Sequence, residues 1–115
     1  MVIWLLPKSK RALIVQRMEV DFDAKKLRAL YTDPNATGGF SDAVVKRFRF
    51  VMGLIVNAHD ERDFQFLPGL RFEKLKGKRS HQHSLRLNDQ WRLIIELRGK
   101  GPHKTIGVIE IADYH

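Results

Sequence analysis

The chain predicts an α+β fold with helices covering one face of an antiparallel sheet, on three observations. Apolar residues recur at helical spacing between Ser41 and Ala58. Pro68-Gly69 then breaks the pattern, and beyond it the apolar period falls to two. Helices therefore precede a strand meander, the order that puts helices on one sheet face. A length of 115 residues with 43% hydrophobic side chains suits one compact domain with one core.

Residues 1–17 read as an amino-terminal extension, and residues 18–115 as the domain. Val2-Ile3-Trp4-Leu5-Leu6 is too short to span a membrane, and its charges follow it, the reverse of a secretory signal. Alternatively, Ala12-Leu13-Ile14-Val15 lengthens the first strand. Met18 to Phe22 alternates apolar and acidic residues, as a short strand does. Asp23 is placed to cap a helix over about Ala24 to Tyr31 with Leu27 and Leu30 inward, and Asp33-Pro34-Asn35 ends it. Ser41 suits the N-cap of the longest helix, Asp42 to about Ala58, whose core stripe is Val44, Val45, Phe48, Met52, Ile55 and Val56. Asp60 to Leu67 reads as one more helical turn. Leu85, Leu87, Trp91, Leu93, Ile95 and Leu97 then mark two strands; Gly99-Lys100-Gly101-Pro102 is a turn, and Thr105 to Ile111 a last, β-branched strand.

The net charge is +8, and residues 71–92 carry seven Lys/Arg against Glu73 and Asp89. So focused a positive field attracts polyanions, and nucleic acid is favoured over an acidic protein because hydrogen-bonding side chains lie among the charges. The knot Lys74-Leu75-Lys76-Gly77-Lys78-Arg79 turns at Gly77 and spreads its cations, but it lacks the glycines and Ser/Thr of a P-loop. If Asn88-Asp89-Gln90 form the next loop, Leu87 faces Trp91, Leu85 faces Leu93, and Arg86 faces Arg92 on the opposite side of the sheet. Like charges directly opposite repel, and an anion between them relieves this. A loop one residue longer or shorter separates the arginines, and two arginines extending to solvent explain the pattern equally well.

Other chemistry is sparse. With no cysteine there is neither a disulfide framework nor a thiolate metal site, which is compatible with a reducing cytoplasm. His81 and His83 share a strand face, but no third ligand stands at a convincing distance, so no metal and no cofactor is expected. His59 and His103 read as surface residues. Glu96 and Glu110 each read as paired with a neighbouring cation, and no Gly-x-Ser-x-Gly or Cys/His nucleophile is present. The chain stops on Asp113-Tyr114-His115, directly after a buried strand. Cleaving RNA requires removing the 2′-OH proton, neutralising the phosphorane and protonating the 5′ oxygen. Histidine carries protons near neutral pH, tyrosine serves where cations lower its pKa, and Arg and Lys stabilise the charge.

At these residues the chain resembles the HigB-type branch of the RelE/ParE toxin superfamily, the plasmid-maintenance killer proteins of bacterial type II toxin–antitoxin pairs. The resemblance runs from about Met18 to His115. It rests on Leu70-Arg71-Phe72-Glu73-Lys74-Leu75-Lys76-Gly77-Lys78-Arg79, on His83-Ser84-Leu85-Arg86-Leu87-Asn88-Asp89-Gln90-Trp91-Arg92, and on the closing Asp113-Tyr114-His115. It implies a RelE/ParE-like microbial RNase fold: a strand, two helices packed on a curved antiparallel sheet, and cytoplasmic, ribosome-dependent cleavage of messenger RNA. It also implies a helix-turn-helix, HigA-like antitoxin partner, with operator DNA bound only through that complex and no membrane partner. The basic residue of the Leu-Lys-Gly motif maps to Lys76, and the acidic-Tyr-His trio to Asp113, Tyr114 and His115. One related type carries a histidine where this chain has Glu73; either His81 or His83 substitutes for it, or activity is weaker. The expected catalytic set is Lys76, Arg79, Arg92, Asp113, Tyr114 and His115, with Tyr114 or His115 as base and acid. Arg71, Lys74, Lys78, His81, His83 and Arg86 are the expected RNA contacts. Two rival readings remain: a non-cleaving ParE-like inhibitor of gyrase, and a degenerate toxin serving as a repressor partner.

Overall fold

A computed structural model describes residues 18–99 and 104–114. The expected extension 1–17, most of the turn at 99–102, His103 and His115 lie outside the described residues. The elements run β1 (Glu19–Phe22), α1 (Lys25–Thr32), α2 (Asp42–Val56), β2 (Glu73–Lys74), β3 (Gln82–Arg86), β4 (Trp91–Arg98) and β5 (Thr105–Asp113), with 3₁₀ turns at Glu61–Asp63 and Gly77–Arg79. The strands form one sheet in the order β1-β5-β4-β3-β2. Both helices pack on one face of this sheet, as expected of an α+β chain. The sheet is mixed rather than purely antiparallel, because β1 pairs parallel with β5. The two helices carry the chain to the far edge of the sheet, where β2 runs antiparallel to β1, and three antiparallel reversals then bring β5 back beside β1 in parallel.

Each helix boundary has a local cause. The Ser41 side chain accepts the Val44 amide (3.3 Å) and so caps α2, and Asp42 complements the helix dipole. Asp23 does not cap α1. Its carboxylate instead receives two hydrogen bonds from Arg98 (3.2 and 2.7 Å), and Ala24 holds the cap position without a side-chain bond. Pro34 holds Asp33 extended, which ends α1. Arg49 of α2 donates to the carbonyls of Leu30, Asp33 and Ala36 at 3.0–3.1 Å, tying down the exit of α1.

The core lies between helices and sheet. Val44, Val45, Phe48, Val51, Met52 and Ile55 of α2 meet Leu85, Leu93, Ile95, Ile106 and Val108. Val51 is fully buried, whereas Val56 is only partly so. Phe64 and Leu70, from the segment after α2, complete this core. The expected turn at 60–67 shrinks to Glu61–Asp63, capped by the Asp60 side chain.

The β3–β4 register is the one that brings the arginines opposite each other: Leu85 faces Leu93 and Arg86 faces Arg92. Between β4 and β5, Ile94 pairs with Glu110 but Ile95 pairs with Val108, so Ile109 is the extra residue of a bulge. Ile94 is fully buried although it faces away from the helices. Arg79 reaches from beside β3 to Glu110 on β5 (3.7 Å) and so lies across the intervening β4 there.

Candidate active site on the outer sheet face

The helix-free face carries the charges. Ser84 and Arg86 on β3, Arg92, Ile94 and Glu96 on β4, and Glu110 and Ala112 on β5 share it by register. At its centre Arg92 is only 8% exposed. Its Nη2 donates to the Arg71 carbonyl (2.5 Å) and to the Ser84 Oγ (2.9 Å). Its Nε is buried with no partner, and no carboxylate bonds to the guanidinium among the described residues. Burial pushes Arg92 below the ordinary arginine pKa; Arg71 and Arg86 act the same way, while Glu73 and Tyr114 oppose it. A desolvated cation without a bonded carboxylate is costly, which makes this cluster a candidate anion site.

The groups around Arg92 are held by different devices. Arg71 adopts φ +47°, a left-handed conformation that an L side chain rarely takes, and this turns its carbonyl to Arg92. Arg86 pairs with Asp89 in the β3–β4 loop. Tyr114 follows β5 directly: its amide donates to the Gln90 carbonyl (2.6 Å), and Arg92 Cζ sits 5.6 Å from its ring centroid. Gln90 Nε2 also donates to Asp113 (3.1 Å), so the tail is docked on the β3–β4 loop.

The other expected site residues divide. Lys76, Gly77 and Lys78 stand exposed in the 3₁₀ loop. Arg79 in the same loop is engaged, to the Gln82 side chain (2.8 Å) and to Glu110. Glu110 faces Ile94, two residues from Arg92, so this end of the knot lies about 7 Å along the face from the arginine cluster. His81 pairs with Glu96 (3.4 Å), four residues from Arg92 and about 13 Å along the strand. Glu96 is held below the usual carboxylate range chiefly by Arg98, with Gln82 and His81 assisting against burial. Lys74 faces His83 in register, and His83 stacks on Phe72 (4.6 Å, 2° between planes) on the helix side. The two histidines therefore do not share a face, because β3 starts at Gln82 and leaves His81 outside the alternation. Among the described residues no group of three His, Cys, Asp or Glu is arranged to hold a metal ion.

Two contributors were not singled out from the sequence, Ser84 and the Arg71 backbone. Strand alternation around Leu85 would have placed Ser84 beside Arg86, whereas nothing in the residue type marks Arg71 as left-handed.

His83 gives a pH prediction. Burial, assisted by Lys74 and opposed by Glu61, lowers its pKa from the ordinary 6.5. The unfolded chain then binds a proton that the folded chain refuses, so this part of the stability is complete above about pH 6.5 and is lost as pH falls toward the folded value. His83→Phe keeps the stack with Phe72. It is expected to flatten the fall in melting temperature between about pH 7 and pH 5; an unchanged slope assigns that fall to other groups.

Solved structures that align with this chain include toxins. The YoeB/ParE toxin from Agrobacterium tumefaciens aligns with TM-score 0.55 at 16% identity, over 85% of this chain and 100% of that one. YafQ from E. coli strain BL21(DE3) aligns with TM-score 0.57 at 14% identity, over 85% and 93%. The E. coli DinJ–YafQ toxin–antitoxin complex aligns at 0.52 with 14% identity, over 87% and 93%. No curated protein sequence matches the chain. The model of the HigB-like toxin family, described as the RelE-like toxin of type II toxin–antitoxin system HigB, matches residues 20–114, and the chain belongs to that family. It is the toxin component of such a system.

Proposed function

We propose that this toxin is an endoribonuclease that stops translation by cutting messenger RNA on the ribosome in the cytoplasm. The observation that carries the reading is Arg92: a buried guanidinium without a carboxylate, flanked by Arg71 and Arg86 and lying against Tyr114. A scissile phosphate supplies the missing anion. Tyr114 or His115 takes the 2′-OH proton, the freed oxygen attacks phosphorus, the bond to the 5′ oxygen breaks, and the other side chain returns a proton to it. The products are a 2′,3′-cyclic phosphate and a 5′-hydroxyl. Arg92 holds the phosphoryl oxygens, Lys76 adds charge from the loop, and Arg79 joins after leaving Glu110. Asp113 orients the tail through Gln90. Arg71, Lys78 and Arg86 border the RNA path, whereas Lys74, His81 and His83 stand apart from this centre.

The partner is a helix-turn-helix antitoxin of the HigA kind, through which the pair contacts operator DNA; the family description and the DinJ–YafQ complex support an antitoxin. No helix among the described residues is long and apolar enough to cross a membrane. The deciding experiment is primer extension on messenger RNA after induction. New 5′ ends confined to translated regions are expected. Intact transcripts with gyrase-dependent DNA breaks would replace this reading with a gyrase inhibitor.

A further inference from the structure

Four large hydrophobic side chains stand exposed among the described residues. Tyr114 belongs to the site above; of the other three, Phe50 (56%) lies on the side of α2 turned away from the sheet, and Phe66 (82%) and Leu67 (40%) lie in the segment after that helix. Phe50, Leu54, Leu67 and Pro68 line a hollow of about 270 Å³ floored by Leu70, with Arg47 at its rim and Phe66 next to Leu67 in the chain. An apolar patch this concentrated marks an interaction surface.

Two details say what fits it. Gly53 lies in the middle of α2, one turn from Phe50, and a Cβ added there would meet nothing within 4 Å. A helix-interior glycine costs stability, and no packing among the described residues requires this one; the bare backbone it leaves permits close approach of an outside chain. The rim is cationic. The Arg47 guanidinium lies 5.4 Å from the Phe50 ring centroid and 3.5 Å from the Gly69 carbonyl, and neither Arg47 nor Lys46 pairs with a carboxylate among the described residues. Charge argues against the two occupants nearest to hand. Residues 1–17 carry Lys8, Lys10, Arg11 and Arg17 with no acidic residue, and a second copy of the chain brings a net +8.

We infer that this groove on α2 docks an amphipathic, carboxylate-bearing helix of the antitoxin. The inference rests on the antitoxin reading above. It places the helix's apolar side chains over Phe50, Leu54 and Leu67, its backbone over Gly53 and its carboxylates at Arg47 and Lys46. Docking here leaves the Arg92 face uncovered.

The test is titration of the full chain with the purified product of the adjacent reading frame. Phe50→Glu and Phe66→Glu are each expected to weaken binding at least tenfold, with circular dichroism and melting temperature unchanged. Arg47→Ala is expected to weaken it less and to reduce its salt dependence. In cells the two Glu variants stay toxic but escape neutralisation. If both bind as wild type does, the groove is overturned and the antitoxin reading stands; if wild type itself does not bind, both fall. A changed oligomeric state of free Phe50→Glu would assign the groove to a second copy. A tenfold gain in antitoxin affinity on removing residues 1–17 would assign it to the chain's own start. Either result overturns the inference.

Discussion

Replacing Arg92 with methionine is expected to abolish growth arrest and at the same time to raise the melting temperature. Both effects follow from one arrangement. The guanidinium is buried, its Nε has no partner, and its bonds go to a carbonyl and a hydroxyl rather than to a carboxylate. Exchanging a buried, poorly compensated charge for an apolar side chain of similar length stabilises proteins by about 1 kcal/mol or more, or roughly 4 °C for a domain of this size. The cation–π contact with Tyr114 offsets part of that gain. Catalysis moves the other way, because removing a preorganised charge from a developing oxyanion costs about 10²–10³-fold in rate. Calorimetry and cleavage of ribosome-bound RNA measure the two halves separately. A methionine variant that melts lower would show that Arg92 is a structural strut, and the anion site would lose its main support.

Tyr114→Phe isolates the second component. The ring stays 5.6 Å from Arg92, the amide still reaches Gln90, and only the hydroxyl is lost. The side chain is 42% exposed, so stability should move by less than about 0.5 kcal/mol. If the hydroxyl transfers a proton, single-turnover cleavage falls about 10²–10⁴-fold. If His115 serves both steps, Tyr114→Phe is silent while His115→Ala is inactive. Loss of activity in the tyrosine variant with retained activity in the histidine variant would give Tyr114 the essential proton.

Periodicity made much of this molecule legible. The α2 stripe, the Ser41 cap and the pairing of Leu85 with Leu93 follow from spacing and residue type, because burial of one face fixes each of them. The opposed arginines were legible only conditionally, since a loop of another length would have separated them. Asp23 was misread because capping is a local rule, while its partner Arg98 lies 75 residues away. Gly107 makes that pairing sterically possible: a Cβ there would lie 2.4 Å from Arg98 Cζ. Within the site, Arg92 and Tyr114 stood out by type and position. The Arg71 carbonyl did not, because a backbone oxygen aimed by an unusual dihedral leaves no mark in a sequence. The basic knot shows the limit of counting charges: Arg79 already answers Glu110, and Lys74 sits over His83 on the other side of the sheet.

The doubled position at Ile109 has consequences for the end of the chain. Before it, even-numbered residues of β5, Ile106 and Val108, point to the helices; after it, Glu110 and Ala112 point away from them. By the same parity Tyr114 falls on the arginine side. Were Ile109 missing, β5 would alternate without a break and Tyr114 would still fall on the arginine side; a residue lost beyond the bulge, Ala112 for example, would deliver the same tyrosine to the hydrophobic side. The candidate cleft of this small toxin is thus specified by arithmetic as well as by chemistry: the doubled position absorbs the loss of one codon, and the strand beyond it does not.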